Sequence, residues 1–233
     1  MIRALAVFTF IPAYMILASL LGYPIARLVG SPTILYVLGR FGIRIALLLA
    51  GTRIMVEGEE HLKDTRNTIV MPNHQSLLDA PIVVTFIPSE FKVVAKTEIF
   101  RIPFFSSCLR FAGFIEVDRS NRERATWAIQ KAVASLKKGN CFLIFPEGTR
   151  SPTGALGPFK KGAFHVALDA GSRIVPVALI GARDLMPKGG FRIRKGVVRV
   201  RVLDPVDAGS YSYEDRERLI AEVRQRIADA LAN

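Results

Sequence analysis

The first fifty positions are apolar almost without interruption, and the pattern changes abruptly after them. Ala4 to Ala26 is long enough to cross a bilayer core, which takes about 20 apolar residues, although Pro12 and Pro24 interrupt it. Gly30-Ser31-Pro32 supplies a turn, and a second apolar stretch follows from Thr33 to Ala50 with Arg40 and Arg44 inside it. Residues four apart share one face of a helix. A charge pair at mid-span is costly in lipid but natural in a helix lying along the interface. Residues 1–50 are therefore expected to form a two-helix membrane anchor that dips into one leaflet, with one or two full spans as the alternative. A cleaved signal peptide begins in the same way, but the second apolar stretch follows too closely to suit one.

Residues 51–233 alternate short β-rich runs with helical periodicity. The runs are Arg53–Glu57, Thr68–Met71, Lys92–Ala95, Phe114–Val117, Cys141–Phe145, Ile174–Leu179 and Val197–Val202. The last sets Val198, Val200 and Val202 against Arg199 and Arg201, the alternation of a half-exposed strand. Arg122 to Lys138 puts Ala125, Ile129, Val133 and Leu136 on one side and stops at Gly139, a suitable residue just past a helix end. Ser212 to Asp215 has the form of a capping box, ahead of a helix with Leu219, Val223, Ile227 and Leu231 on its apolar face. Such alternation predicts an α/β domain: a mixed, mostly parallel sheet covered by helices.

Charge sharpens the picture. The first fifty residues hold no acid and four bases, so the chain's 32 Lys and Arg against 20 Asp and Glu leave residues 51–233 at 28 against 20. A basic body beside an apolar segment suits an anionic membrane surface or phosphorylated substrates, with the body on the cytoplasmic side of the membrane. Nucleic acid would suit the charge too, but no recognised nucleic-acid motif accompanies it. Cys108 and Cys141 sit among apolar residues with no CxxC and no Cys/His cluster, so neither a disulfide framework nor a zinc site is expected.

Only three histidines, His61, His74 and His165, can supply an imidazole for acid–base work near neutral pH. His74 follows a predicted strand, where residues line sites in α/β sheets, and Asp79 lies five residues on. Within one helix that offset is about 140° around the axis, so the two can meet only if His74 precedes the helix and Asp79 lies in it. The carboxylate would then fix the tautomer and leave the other ring nitrogen free to take a proton. His165 and Asp169, at i and i+4, form a rival pair that spacing alone favours. After another strand, Phe145-Pro-Glu147-Gly148-Thr149-Arg150-Ser151 brings a carboxylate, a flexible glycine and a guanidinium together, and Arg can grip phosphate bidentately. Val117-Asp118-Arg119 is a third strand end with a guanidinium. There is no G-x-S-x-G elbow, no P-loop and no G-x-G-x-x-G, so direct attack by a substrate hydroxyl is favoured over a protein nucleophile.

Asn73-His74-x4-Asp79, Val117-Asp118-Arg119, Phe145 to Ser151 and Val175-Pro176-Val177 occur in that order. Together they resemble the four motif blocks of the glycerolipid acyltransferases, specifically the bacterial 1-acyl-sn-glycerol-3-phosphate acyltransferases, over residues 50 to 205. The resemblance implies that His74 is the base and Asp79 its orienting partner. It implies that Arg119 and Arg150 hold the acceptor phosphate in a pocket shaped by Glu147, Gly148 and Thr149. Lys96 matches a family lysine near the reacting carbonyl. Where the family usually has Gly after Pro-Phe-Phe, this chain has Ser106, which bears on the acyl channel and chain-length preference.

The expected reaction transfers a fatty acyl group from acyl-CoA or acyl carrier protein to lysophosphatidic acid in the membrane, making phosphatidic acid, with no metal and no cofactor. Glycerol 3-phosphate or lyso-ornithine lipid is the alternative acceptor. A non-catalytic module binding anionic lipid is the reading from another class.

Overall fold

The computed structural model of the chain describes residues 2–118 and 121–232. Helix α1 spans Ile2–Val29 and α2 spans Thr33–Ala50, two helices long and apolar enough to cross a membrane. The prolines do not break α1: Pro12 and Pro24 lie inside one continuous helix. Each removes one backbone donor, a loss that tolerant packing against a neighbouring helix absorbs.

That neighbour comes close. A Cβ on Gly42 would stand 2.1 Å from Tyr14 Cε1, and one on Gly22 would stand 2.7 Å from Leu38 Cδ1, so glycine is what lets the pair approach. The Tyr14 hydroxyl donates to the Leu38 carbonyl at 2.8 Å. The hairpin is also fastened to the body. Tyr36 and Leu47 belong to the main core, and the Tyr36 hydroxyl donates to the carbonyl of Phe91. Arg40 does not share an outward face with Arg44 as the spacing suggested. Its guanidinium donates to the carbonyls of Ile87 and Ser89, while Arg44 is exposed. The burial cost of the charge is offset by carbonyl partners in the body rather than by lipid headgroups.

The sheet holds β1 (Thr52–Glu57), β2 (Thr68–Pro72), β3 (Phe91–Lys96), β4 (Ile115–Val117), β5 (Cys141–Leu143), β6 (Arg173–Ile180), β7 (Gly196–Val202) and β8 (Val206–Asp207). Its order is β1-β7-β6-β2-β5-β3-β4, with β8 paired to β6. β6, β2, β5, β3 and β4 run parallel, whereas β7 is antiparallel to β6 and β1 follows β7. The mixed, mostly parallel sheet expected from the alternation is the one observed. The predicted run to Phe145 ends at Leu143. Ile144 keeps a single ladder bond to Val70 and Pro146, which has no N–H, cannot continue it.

Helices cover both faces. Alternate residues of β2 divide the cores: Val70 packs toward α2 and α3 (Asp79–Phe86), while Ile69 and Met71 pack toward α5 (Arg122–Lys137), α6 (Lys161–Ala170) and α8 (Arg216–Ala232); the short α7 (Ala182–Leu185) follows β6. The α5 seam is Ala128, Ala132 and Leu136; Ala125, expected on it, lies only half-buried outside the core. The capping box forms ahead of α8, with the Ser212 hydroxyl donating to Asp215 Oδ2 at 2.8 Å and Asp215 N donating back to Ser212 Oγ at 3.3 Å. Because five strands point the same way, Pro72, Lys96, Val117, Leu143 and Ile180 all end at one edge of the sheet. Ligands in open α/β sheets bind outside this carboxyl edge.

Gly42→Ala should lower the thermal midpoint in detergent, because the added methyl must push Tyr14 off α2 at a cost of about 1–3 kcal/mol. An unshifted midpoint would mean the helices do not approach this closely.

Candidate active site

Two loops that leave that carboxyl edge side by side, after the neighbouring strands β2 and β5, build the centre of the site. The first follows β2. Asn73, fully buried, bonds the end of β6 instead of its own turn: its Oδ1 accepts from Leu179 N at 2.7 Å and its Nδ2 donates to the Leu179 carbonyl at 3.1 Å. The chain thus stays pinned to the sheet for one residue after the strand. His74 comes next, ahead of α3, and Asp79 is the first residue of that helix. This is the arrangement in which a five-residue offset allows contact, and His74 Nδ1 stands 2.8 Å from Asp79 Oδ2.

Asp79 is fully buried, and the same Oδ2 also accepts from the backbone N–H groups of Gln75 and Ser76. The carboxylate closes the turn and orients the ring together. An acceptor of this kind requires a hydrogen on Nδ1, which leaves Nε2 as the basic nitrogen. Nε2 has no partner among the described residues, and the side chain is 20% exposed. One face of the ring stacks on Phe145 at 4.1 Å between centroids.

The second loop follows β5 and is zipped to the first. Glu147 Oε1 accepts from His74 N at 2.7 Å, Ser151 N donates to the His74 carbonyl at 2.7 Å, and Gln75 Nε2 donates to the Gly154 carbonyl at 2.7 Å. Glu147 Oε2 accepts from Gly157 N at 2.9 Å. A Cβ on Gly157 would stand 2.8 Å from that oxygen, so the close approach needs glycine. Glu147 was read as part of a substrate pocket. Both of its oxygens are instead taken by backbone N–H groups of the protein, which makes it a residue that positions the His74 loop. Burial pushes its carboxyl above the ordinary glutamate range, outweighing the downward pull of the two N–H groups.

The other expected site residues differ in how fully they come together. Gly148, with φ of 70°, turns the loop toward exposed Thr149 and half-buried Arg150. The Arg150 guanidinium has no ion-pair partner among the described residues, while its carbonyl accepts from Lys188 Nζ at 2.8 Å. Lys96 is exposed at the end of β3, on the same edge. Arg119 lies outside the described residues, although Asp118 before it closes the edge at the end of β4. The rival pair does not form. His165 meets the Tyr213 hydroxyl and Arg216 on the α8 side, and Asp169 is exposed. His61 lies 3.5 Å from Asp204 at the far end of the sheet sequence. The Cys141 thiol, pushed up to about 12 by burial, is no nucleophile. No group of three His, Cys, Asp or Glu among the described residues could hold a metal ion.

Beside the pair opens an apolar groove of about 410 Å³, enclosed by α1, α2, α3, α4 (Phe105–Phe111) and the sheet. Phe145 and Leu78 line it near His74, and Tyr14 and Gly42 line it between the hairpin helices. Phe104, at φ of 62°, turns the chain into α4, which lends Phe105 and Leu109 to the wall. Two contributors escaped the sequence reading. Phe145 was read only as the end of a strand run and the start of a motif block, with no role of its own, and Ser76, whose hydroxyl donates to the Met186 carbonyl at 2.7 Å, drew no notice. Position offers a signal for both: Phe145 lies two residues past the end of β5 and Ser76 four past the end of β2, each in a loop already marked by motif residues.

A model of the family described as acyltransferase matches residues 53–180. The chain belongs to the acyltransferase family. Among relatives of this acyltransferase, the 1-acyl-sn-glycerol-3-phosphate acyltransferase of Cocos nucifera is 34% identical over 218 residues, covering 93% of this chain and 69% of that protein. That of Borreliella burgdorferi is 33% identical over 196 residues, covering 84% and 78%. The crystal structure of the 1-acyl-sn-glycerophosphate acyltransferase PlsC from Thermotoga maritima superposes with a TM-score of 0.82 at 27% identity, over 99% of this chain and 94% of that one. The match extends beyond the residues of the family model to both N-terminal helices of this acyltransferase.

In the Glu147→Gln variant an amide oxygen can serve one N–H, but an NH₂ group faces the other. A buried donor left unsatisfied costs about 1–3 kcal/mol, so denaturation should show a loss of that size together with lower turnover. The raised carboxyl adds a pH signature. The folded chain binds this proton more readily than the unfolded one, so the group's contribution is fully present below the ordinary value of 4.5 and is lost as the pH rises through the elevated one. The stability difference between wild type and variant should therefore widen on acidification; a constant difference would contradict the raised carboxyl.

Proposed function

We propose that this acyltransferase moves a fatty acyl group from a thioester of coenzyme A or acyl carrier protein to the sn-2 hydroxyl of 1-acyl-glycerol 3-phosphate, making phosphatidic acid. The observation that carries this reading is the His74–Asp79 pair, stacked on a ring that also lines an apolar groove open to the hairpin. The named substrate of the relatives supports the choice of acceptor.

A hydroxyl is far too weak an acid to ionise at neutral pH. His74 Nε2 takes its proton as the oxygen attacks the thioester carbonyl, and Asp79 stabilises the imidazolium that forms. Help of this kind is worth about 10²–10⁴ in rate. Lys96, or N–H groups at the sheet edge, stabilise the oxyanion of the tetrahedral intermediate. The C–S bond then breaks, and the departing thiolate recovers the proton from the imidazolium. Arg119 and Arg150 grip the acceptor phosphate and so hold the neighbouring hydroxyl against Nε2. The acyl chain lies in the groove.

The hairpin keeps the enzyme in the membrane, where acceptor and product reside, with the basic body at the cytoplasmic face of the inner membrane. Leu5, Leu17, Leu21, Leu28 and Leu48 are among the exposed apolar side chains that lipid would cover.

Purified protein given acyl-CoA and lysophosphatidic acid should release free thiol and phosphatidic acid, and excess glycerol 3-phosphate or lyso-ornithine lipid should not compete. Effective competition would reassign the acceptor. His74→Ala should lower kcat by about 10²–10⁴ without unfolding the chain, and full activity in that variant would end the base assignment. Arg150→Ala should raise the KM for lysophosphatidic acid much more than it lowers kcat; an unchanged KM would take Arg150 out of the phosphate site.

A further inference from the structure

A basic, partly apolar finger stands beside the site without a role in it. From Leu185 to Leu203 the chain has no acid and carries Lys188, Arg192, Arg194, Lys195, Arg199 and Arg201. Arg201 pairs with Glu57. Arg192, Arg194, Lys195 and Arg199 are exposed and have no acidic partner among the described residues. At the tip, Phe191 is 81% exposed. An apolar side chain of this size flanked by cations has the make-up that membrane-interface elements present.

Position adds a second argument. The Phe191 ring meets Phe8 of α1 edge-on at 6.5 Å between centroids, and Phe8 and Leu5 are themselves exposed. The finger therefore prolongs the apolar side of the hairpin. Arg3, at the start of α1, and Lys195 both border the space beside Gly51, which gathers cations where the apolar side ends. Nucleic acid or an acidic protein would answer the charge and leave Phe191 and Phe8 in water. A bilayer whose surface is anionic answers both.

The base of the finger is fixed to the site. Ser76 pairs with Pro187 and bonds the Met186 carbonyl, Lys188 holds the Arg150 carbonyl, and Arg194 N returns to the Leu185 carbonyl at 2.9 Å.

We propose that residues 187–195 are a second membrane-docking element, with Phe191 inserted at the headgroup boundary and Arg192, Arg194 and Lys195 on anionic lipid, so that the site edge is held facing the bilayer. This rests on the reading of the hairpin as a membrane anchor and not on the identity of the acyl acceptor.

The test uses the full chain, diluted from detergent into phosphatidylcholine vesicles with or without phosphatidylglycerol. Trp127 is the only tryptophan, so a Trp127→Phe, Phe191→Trp variant reports from the tip alone. Its emission should shift to the blue on phosphatidylglycerol vesicles and be quenched by bromine near the headgroup end of the lipid chains. The Arg192→Ala, Arg194→Ala, Lys195→Ala variant should lose about a hundredfold of the preference for anionic over neutral vesicles. Vesicle-bound protein with a water-like emission, or a preference that survives the triple change, would overturn the docking element while leaving the anchor intact. Protein that binds neither vesicle would overturn both.

Discussion

The peptide group of His74 is gripped from two sides, and the whole carboxyl edge is organised around that grip. Glu147 takes its N–H and Ser151 gives to its carbonyl. Two loops that leave different strands thereby become one rigid body, and the imidazole they carry inherits the rigidity of the sheet. Burial raises the glutamate carboxyl even though the two backbone N–H groups it serves pull the other way. A shorter or neutral side chain could not span His74 and Gly157 together.

Around this clamp the molecule has two unlike sides. Helices α5, α6 and α8 close one face of the sheet with ordinary apolar packing. On the other face the hairpin and α3 pack less completely, and the space they leave is the groove that ends at Phe145. The hairpin is thus more than a tether. Tyr36 and Arg40 bond carbonyls around β3, so the elements that lipid would cover also form a wall of the cavity beside the site. In the proposed reaction this joins access from the membrane to the geometry of transfer, because the same two helices serve both.

The edge also explains why a basic body is useful. Lys96, Asp118 and the Arg150 loop leave neighbouring parallel strands in one direction, and the finger carrying Arg192 and Arg194 is tied to Ser76 and Arg150. Cations of the finger thus lie next to the exposed Phe8 and Leu5 of α1, the arrangement that the proposed docking on anionic lipid uses.

Much of this was legible along the chain. Apolar runs and period-3.6 patterns located β1 to β7 and the helices α1, α2, α5 and α8 to within a few residues, because burial on one face is a local property of sequence; the shorter α3, α4 and β8 and the helix α6 were not bounded in advance. The His74 and Glu147 blocks stood out because residues directly after the strands of an α/β sheet line its carboxyl edge, where ligands bind. What spacing could not decide were matters of direction across long separations. His165 and Asp169 had the better offset for a pair, yet α8 drew His165 away, and a turn brought Asp79 back to His74. Arg40 seemed to belong to a lipid interface until the body offered it carbonyls, and Glu147 seemed a ligand residue until its partners proved to be the chain itself. Local chemistry nominates residues; only the packed sheet, which fixes the order and direction of strands far apart in sequence, decides which of them face one another.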